Sequence, residues 1–480
     1  MNRALRAWRL CCALALASLL LQSVVAQTVA AAPPAAAIVQ AADDGSRIRD
    51  AFEAAVWGMP MVSVDAMRDA YFHDAGARYN DIVYWSRPAD WKNQTSTPNS
   101  SSLYVYFNYN LKDGPLVVNL PDADGVGVFG SVLDAWQIPL ADIGQDGEDH
   151  GKRARYLLLP PGFEGEVPTG YIPVPANTYN GYALIRVTPA TMSAGGLSQA
   201  NAFIEKLHVA SLSDASRDTP QRFIKMDGKV FDGIVQFDDT YFVRLTRMVN
   251  EEPPLPRDAG VYARLQALGI EPGKPFAPDP TTRAQLRAAA SLARASFRQT
   301  LLSGARAWWP GSRWGTSSPV PLAVKTRFTF DDGSGVDTAM RGALYFLAYA
   351  PPKKLGKATF YLTTWRDKNG QLLDGSTQYR LRVPPQVPAR QFWAVNVYDG
   401  ETCGFIRGAP RVGADSYDKT LRRNADGSVD IDFGPVPPAG HTTNWIYTAP
   451  GKPWFAAFRL YGPEAAIFDK SWSLPDIARE

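Results

Sequence analysis

The chain has 480 residues, 45% of them hydrophobic and 20% charged, with 39 Gly, 38 Pro and 55 aromatic residues. This is long enough for two domains with real cores, and too rich in turn formers and aromatics for a helical bundle or a disordered chain. Its 50 Lys and Arg against 47 Asp and Glu exclude a strongly basic nucleic-acid binder or an acidic tail protein.

The first residues have the pattern of a secretory signal. Arg3, Arg6 and Arg9 form a basic start, Leu10 to Leu21 an apolar stretch, and Val24 and Ala26 the small-residue cleavage positions. The apolar run is shorter than the roughly 18 residues a spanning helix needs. Cys11 and Cys12 lie inside it without a lipoprotein motif before them. The expected compartment is periplasmic or secreted, with no membrane span after cleavage at 1–26. That segment holds three arginines and no acid, so the mature chain carries 47 residues of each sign and no formal net charge. It keeps one cysteine, Cys403, and so forms no intramolecular disulfide. Residues 27–45, rich in Ala and Pro, are expected to be a flexible leader.

From residue 46 the spacing of Ile48, Phe52, Ala55 and Val56 predicts a helix, interrupted at Pro60. Strands are then predicted at Leu103–Asn108, Leu116–Leu120, Gly127–Trp136, Arg155–Leu159 and Tyr182–Val187, with turn residues between them. Ser198 is read as the N-cap of a short helix to His208, and a further strand is expected near Ile234–Phe237. Helical periodicity returns at Tyr262–Leu268 and Thr281–Ala307, where Leu286, Ala290, Ala293, Phe297 and Leu301 make one stripe. A second set of strands is expected from about Ala343, including Ala358–Trp365, Phe392–Tyr398, Val429–Phe433 and Trp454–Tyr461. The expected fold is mainly β: two antiparallel β-sandwich domains, 46–250 and 316–480, joined by a helical connector, 251–315.

The stretches STPNSSSLYVYFNYNL, PLVVNLPDADGVGVFGSVLDAW, YLLLPPGFEGEVPTG and VPANTYNGYALIRV, over about residues 46–200, resemble the bacterial domain of unknown function 1254. Asn424-Ala425-Asp426-Gly427-Ser428, Asn444-Trp445 and Arg459-Leu460-Tyr461-Gly462-Pro463 resemble the domain of unknown function 1214, its usual C-terminal partner. The resemblance implies a pair of jelly-roll-type sandwiches and no established activity. Many relatives read Pro-Asn-Asn-Asp-Thr-Leu-Tyr where this chain has Pro98-Asn99-Ser100-Ser101-Ser102-Leu103-Tyr104, so the acidic residue of that landmark is missing.

Chemical motifs are sparse. Asn424-Ala425-Asp426-Gly427 resembles the start of a calcium loop but lacks its later ligands, and a turn explains it. The acidic run Asp142 to Asp149 fits no metal loop and reads as a solvated segment. His73, His150, His208 and His441 are isolated, and there is no HExxH or CxxC, so no metal or cofactor is implied. No GxSxG elbow and no phosphate loop argue against a serine hydrolase or a nucleotide enzyme. Residues 281–330 carry eight basic residues, no acid, and Trp308, Trp309 and Trp314. Nucleic acid is set aside because of the export signal, and helix arginines paired with Asp238, Asp239, Glu251 or Glu252 are the simpler reading.

Arg186 and Arg459 stand apart, since each sits among apolar strand residues where a charge must be paired or face a wet cavity. With Trp136, Asn99, Tyr104, Asn444 and Trp445 they form the candidate ligand-binding set. The expected function is binding of a small organic or saccharide ligand in a polar, aromatic-lined pocket. Two other classes stay open: a cofactor-free hydrolase or lyase, and an envelope structural or assembly protein. Homo-oligomerisation stays open with the latter.

Overall fold

The computed structural model describes residues 35–480 except Ser216, Asp218, Gly304, 355–358 and His441, so the signal segment lies outside the described residues. Contacts group the chain into two units, Met1–Ser46 and Arg47–Glu480. Of the first, only a helical backbone from Ala35 is described. The second holds the sheets and the apolar core.

The chain is mainly β, with 22 strands and eight α-helices among the described residues. A six-stranded sheet has the order Phe223–Lys225, Ile82–Tyr84, Leu103–Asn110, Asn180–Pro189, Val126–Asp134, Pro139–Gly144. A four-stranded sheet has the order His208–Ser211, Leu116–Leu120, Ala154–Leu159, Ile172–Pro175. The C-terminal half repeats this pattern. Its six-stranded sheet runs Arg306–Ala307, Gly315–Thr316, Thr359–Thr364, Trp454–Pro463, Ala389–Asp399, Gly413–Asp415. Its four-stranded sheet runs Ala478–Arg479, Tyr379–Val383, Val429–Gly434, Trp445–Tyr447. In both halves the fourth strand of the larger sheet is the last of its three long strands in sequence. In both smaller sheets the last two strands are parallel. The two halves thus share one strand plan, which no residue repeat announces.

Several predicted strands appear nearly as read, because alternation and flanking Gly-Pro or Pro-Asp turns determine them locally. Leu116–Leu120 is one of them. Other expectations need correction. The sheets are not wholly antiparallel, since four strand pairs run parallel. The first helix spans Ala35–His73 straight through Pro60 and takes in the end of the expected leader. The Pro60 carbonyl accepts the Gln137 side-chain N–H at 3.1 Å. Ser193, not Ser198, caps the helix Ala194–Ile204, its hydroxyl accepting the Gly196 N–H at 3.2 Å. Residues 234–237 form no strand, and the expected strand at Ala343 is the helix Thr338–Leu347, capped by Asp337.

That helix packs on Pro280–Ser303, Phe297 meeting Phe346 with ring centroids 5.9 Å apart. The predicted stripe Leu286, Ala290, Ala293, Phe297 and Leu301 is buried. Core residues of both halves and of the connector belong to one continuous apolar cluster. The connector is therefore part of the core and not a loose linker.

Candidate functional site

A cavity of about 200 Å³, open to solvent, lies between the two halves. Part of its wall follows the period of two expected of strands. Thr359, Tyr361 and Thr363 line it from one strand, Ala457, Arg459 and Tyr461 from the next. Arg186 and Thr188 line it from the N-terminal half, with Phe129, Gly130 and Ser131 of the neighbouring strand. Leu344 and 347–352, with Val320 and Phe328, close the remaining side. Gly130 has a steric reason to be glycine: a Cβ there would sit 2.8 Å from the Leu184 carbonyl oxygen. A smaller cavity of about 20 Å³ shares Thr97, Arg186 and Tyr349 with the large one and adds Tyr104.

The two arginines are the chemical centre. Arg459 is 4% exposed, and its Nη2 donates to the Thr97 carbonyl at 2.8 Å and the Tyr398 hydroxyl at 2.6 Å. Its guanidinium lies 4.5 Å from the Tyr361 ring centroid. Arg186 keeps some accessible surface, and that surface faces the cavity; its guanidinium lies 5.8 Å from the Tyr104 ring. The Nε of each is buried without a hydrogen-bond partner. Among the described residues neither arginine pairs with a carboxylate. Burial pulls on both guanidiniums, but the tyrosines around them hold both above the ordinary arginine value. Burial would also raise the Tyr361 phenol, yet Arg459 and then Arg186 outweigh it and leave it below the ordinary tyrosine value.

Asn99 organises this cluster without lining the cavity. Its backbone N–H donates to the Tyr104 hydroxyl at 2.8 Å, and its side-chain amide donates to the Tyr461 hydroxyl. Ser101 donates its hydroxyl to Asp415 at 2.6 Å. An aspartate at that position would face another carboxylate.

The structure thus brings together Arg186, Arg459 and Tyr104, with Asn99 behind them. The other three candidates lie elsewhere. Trp136 packs edge-on against Trp57 at 5.0 Å, with Arg257 and Arg341 5.3 and 4.7 Å from its ring. Asn444 binds backbone: its amide donates to the Arg422 and Asp430 carbonyls at 2.9 and 2.8 Å. Trp445 donates to the Gly434 carbonyl at 2.9 Å. Tyr361 was missed, although the alternation Thr359-Phe360-Tyr361-Leu362-Thr363 placed it on one face with two threonines.

The acidic run and the basic segment have internal partners. Asp142 accepts the Ser131 hydroxyl and the backbone N–H groups of Lys353 and Lys354, at 3.0, 2.8 and 3.1 Å. Asp149 accepts the Gly144 N–H at 2.8 Å and the Tyr156 hydroxyl at 2.7 Å. Arg287 pairs with Asp239, as expected, but Arg294 and Arg298 pair with Glu401. Glu251 instead pairs with Arg68, and Glu252 accepts the Tyr179 and Asn180 N–H groups. Trp308, Trp309 and Trp314 donate to carbonyls of the C-terminal segment, those of Ile467, Trp472 and Pro475. His441 lies outside the described residues. Among the described residues no three His, Cys, Asp or Glu cluster as a metal site, and no helix is long and apolar enough to cross a membrane.

Residues 79–211 match the family model described as protein of unknown function DUF1254, and 358–465 match that described as protein of unknown function DUF1214. The chain is a two-domain DUF1254–DUF1214 protein. The Arg186 strand lies in the first match and the Arg459 strand in the second. The crystal structure of the VPA0106 protein from Vibrio parahaemolyticus is similar in fold, with a TM-score of 0.54 and 16% identity over 90% of this chain and 100% of that one. A putative uncharacterized protein from Burkholderia cenocepacia aligns at a TM-score of 0.40 and 12% identity, over 92% of this chain and 95% of that one. No curated protein matches the chain.

Proposed function

We propose that this DUF1254–DUF1214 protein is exported and binds a small organic ligand in the cavity between its two halves. We read the paired six- and four-stranded sheets as two sandwiches whose larger sheets supply the walls. One observation carries the reading: a buried and a partly buried arginine from different domains face one cavity, with no carboxylate among the described residues to neutralise them. Uncompensated buried charge is costly, and a fold that only needed packing would place apolar residues there. Tyr361 supports the enzyme alternative in one respect, since a phenol whose ionisation is eased by two guanidiniums lines the same cavity.

The binding reading is tested by a thermal-shift screen of metabolites on the purified protein. Hits that stabilise the native chain and fail on Arg459→Met support it. A full screen without a hit, or hits that stabilise Arg459→Met as strongly as the native chain, counts against it. Export is tested by cell fractionation and N-terminal sequencing, with cleavage expected near Ala26.

A further inference from the structure

We propose that the cavity takes an organic anion: a molecule with an apolar body and a terminal oxyanion, a carboxylate in the simplest case, whose head sits on Arg186 and Arg459. This rests on the reading of the cavity as the ligand site and narrows it.

The wall decides the ligand class. Among the described residues it contains two arginines, several hydroxyls and three tyrosines, and no Asp, Glu, Asn, Gln, Lys or His. Most of the remaining surface is apolar, with Phe129, Val320, Phe328, Leu344 and Phe360 prominent. A saccharide needs amide or carboxylate acceptors spread over its whole outline, and the wall has none. A neutral apolar ligand would leave both guanidiniums dehydrated beside it, at a cost in free energy. An anionic head with an apolar body satisfies both parts of the wall.

The geometry also places the head. Arg186 and Arg459 both line the cavity, and among the described residues neither guanidinium is paired with a carboxylate, so each keeps its charge for an oxyanion. Guanidinium and carboxylate form the stronger class of hydrogen bond, often through two parallel contacts. Both arginines are held against tyrosine rings, by cross-strand pairing with Tyr104 and Tyr361. The pair is thereby positioned before any ligand arrives, which lowers the cost of binding.

The experiment compares octanoate, octanol and maltose by isothermal titration on the full chain near neutral pH. Octanoate is expected to bind about tenfold or more tighter than octanol, the size of a charge-assisted contact. Arg186→Met and Arg459→Met should each reduce that preference while leaving octanol unaffected. The comparison of acid and alcohol on the unaltered chain needs no variant to fold. Equal affinity for octanoate and octanol would overturn the anion proposal and leave the cavity as a ligand site. Binding of maltose alone would also overturn it, in favour of a saccharide. Binding of none of the three would overturn the proposal and count against the cavity reading as well.

Discussion

Arg186 and Arg459 occupy the same place in two copies of one strand plan. Each lies on the fourth strand of a six-stranded sheet and faces a tyrosine on the third, Arg186 opposite Tyr104 and Arg459 opposite Tyr361. Both arginine strands are also the last of the three long strands of their sheet in chain order. The two guanidiniums therefore reach one cavity by equivalent routes from the two halves. A charge used only for packing in one half would have no reason to recur at the matching position in the other.

The arginines should separate by function under mutation. Arg68 is 3% exposed and donates to Asp65 at 2.6 Å and to Glu251. Arg68→Met strands those acids, and should cost about 3 kcal/mol, the low end for a broken buried pair because Arg244 and Arg247 still hold Asp65. Arg186→Met strands no acid and should change stability by less than about 1 kcal/mol. Urea unfolding of the two variants measures the difference. A loss at Arg186 as large as that at Arg68 would reveal a partner and remove the argument for a ligand.

Asp134 should make stability fall as pH rises. Its Oδ1 accepts the Trp136 and Ile138 N–H groups, both at 2.9 Å, while its Oδ2 has no partner. Burial pushes its carboxyl up to about 7, against the pull of those N–H groups and of Arg257. The unfolded carboxyl titrates near 4. Between about pH 4 and pH 7 the unfolded chain loses this proton first, so the folded state loses roughly 1.4 kcal/mol for each pH unit. Asp134→Asn keeps the acceptor and should flatten that slope, whatever its buried NH₂ costs in absolute stability. Parallel slopes for the two proteins would show Asp134 ionised in the folded state.

Tyr361 should ionise before the other tyrosines. Its folded value lies below the unfolded one, so its contribution to stability grows as pH rises through the folded value toward 10. Tyrosinate absorbance should show one early step in the wild type. That step should move up in Arg459→Met, which removes the larger of the two cationic influences, and vanish in Tyr361→Phe. An early step that survives in Tyr361→Phe assigns it to another tyrosine.

Asp142 should hold the cavity's edge closed. It accepts the backbone N–H groups of Lys353 and Lys354, just beyond the lining residues Pro351 and Pro352. Asp142→Ala removes two hydrogen bonds to the backbone of the exposed Lys353 and Lys354, at about 0.5–1.5 kcal/mol each. Trypsin cleavage after Lys353 or Lys354 should speed up severalfold relative to the wild type, while cleavage elsewhere stays constant. Uniformly faster cleavage would indicate global destabilisation instead of a local release.

Local pattern in the sequence determined the mainly β class, most long strands, the buried stripe of the connector helix and the oddness of two strand arginines. These depend on neighbours a few residues apart, such as the alternation of Tyr182, Leu184 and Arg186. Alternation could not say that 343–347 is helical, because Asp337's cap and packing on Phe297 outweigh the local preference of a short apolar run. Nor could it reveal which acids lie near which arginines: Glu401 is more than a hundred residues from Arg294 in sequence and pairs with it only through folding. Trp136, Asn444 and Trp445 looked like site residues because aromatic and amide side chains suit both ligands and cores. Their partners, and the cavity that Arg186 and Arg459 share, are long-range relations, set when sheets from the two halves close on one core.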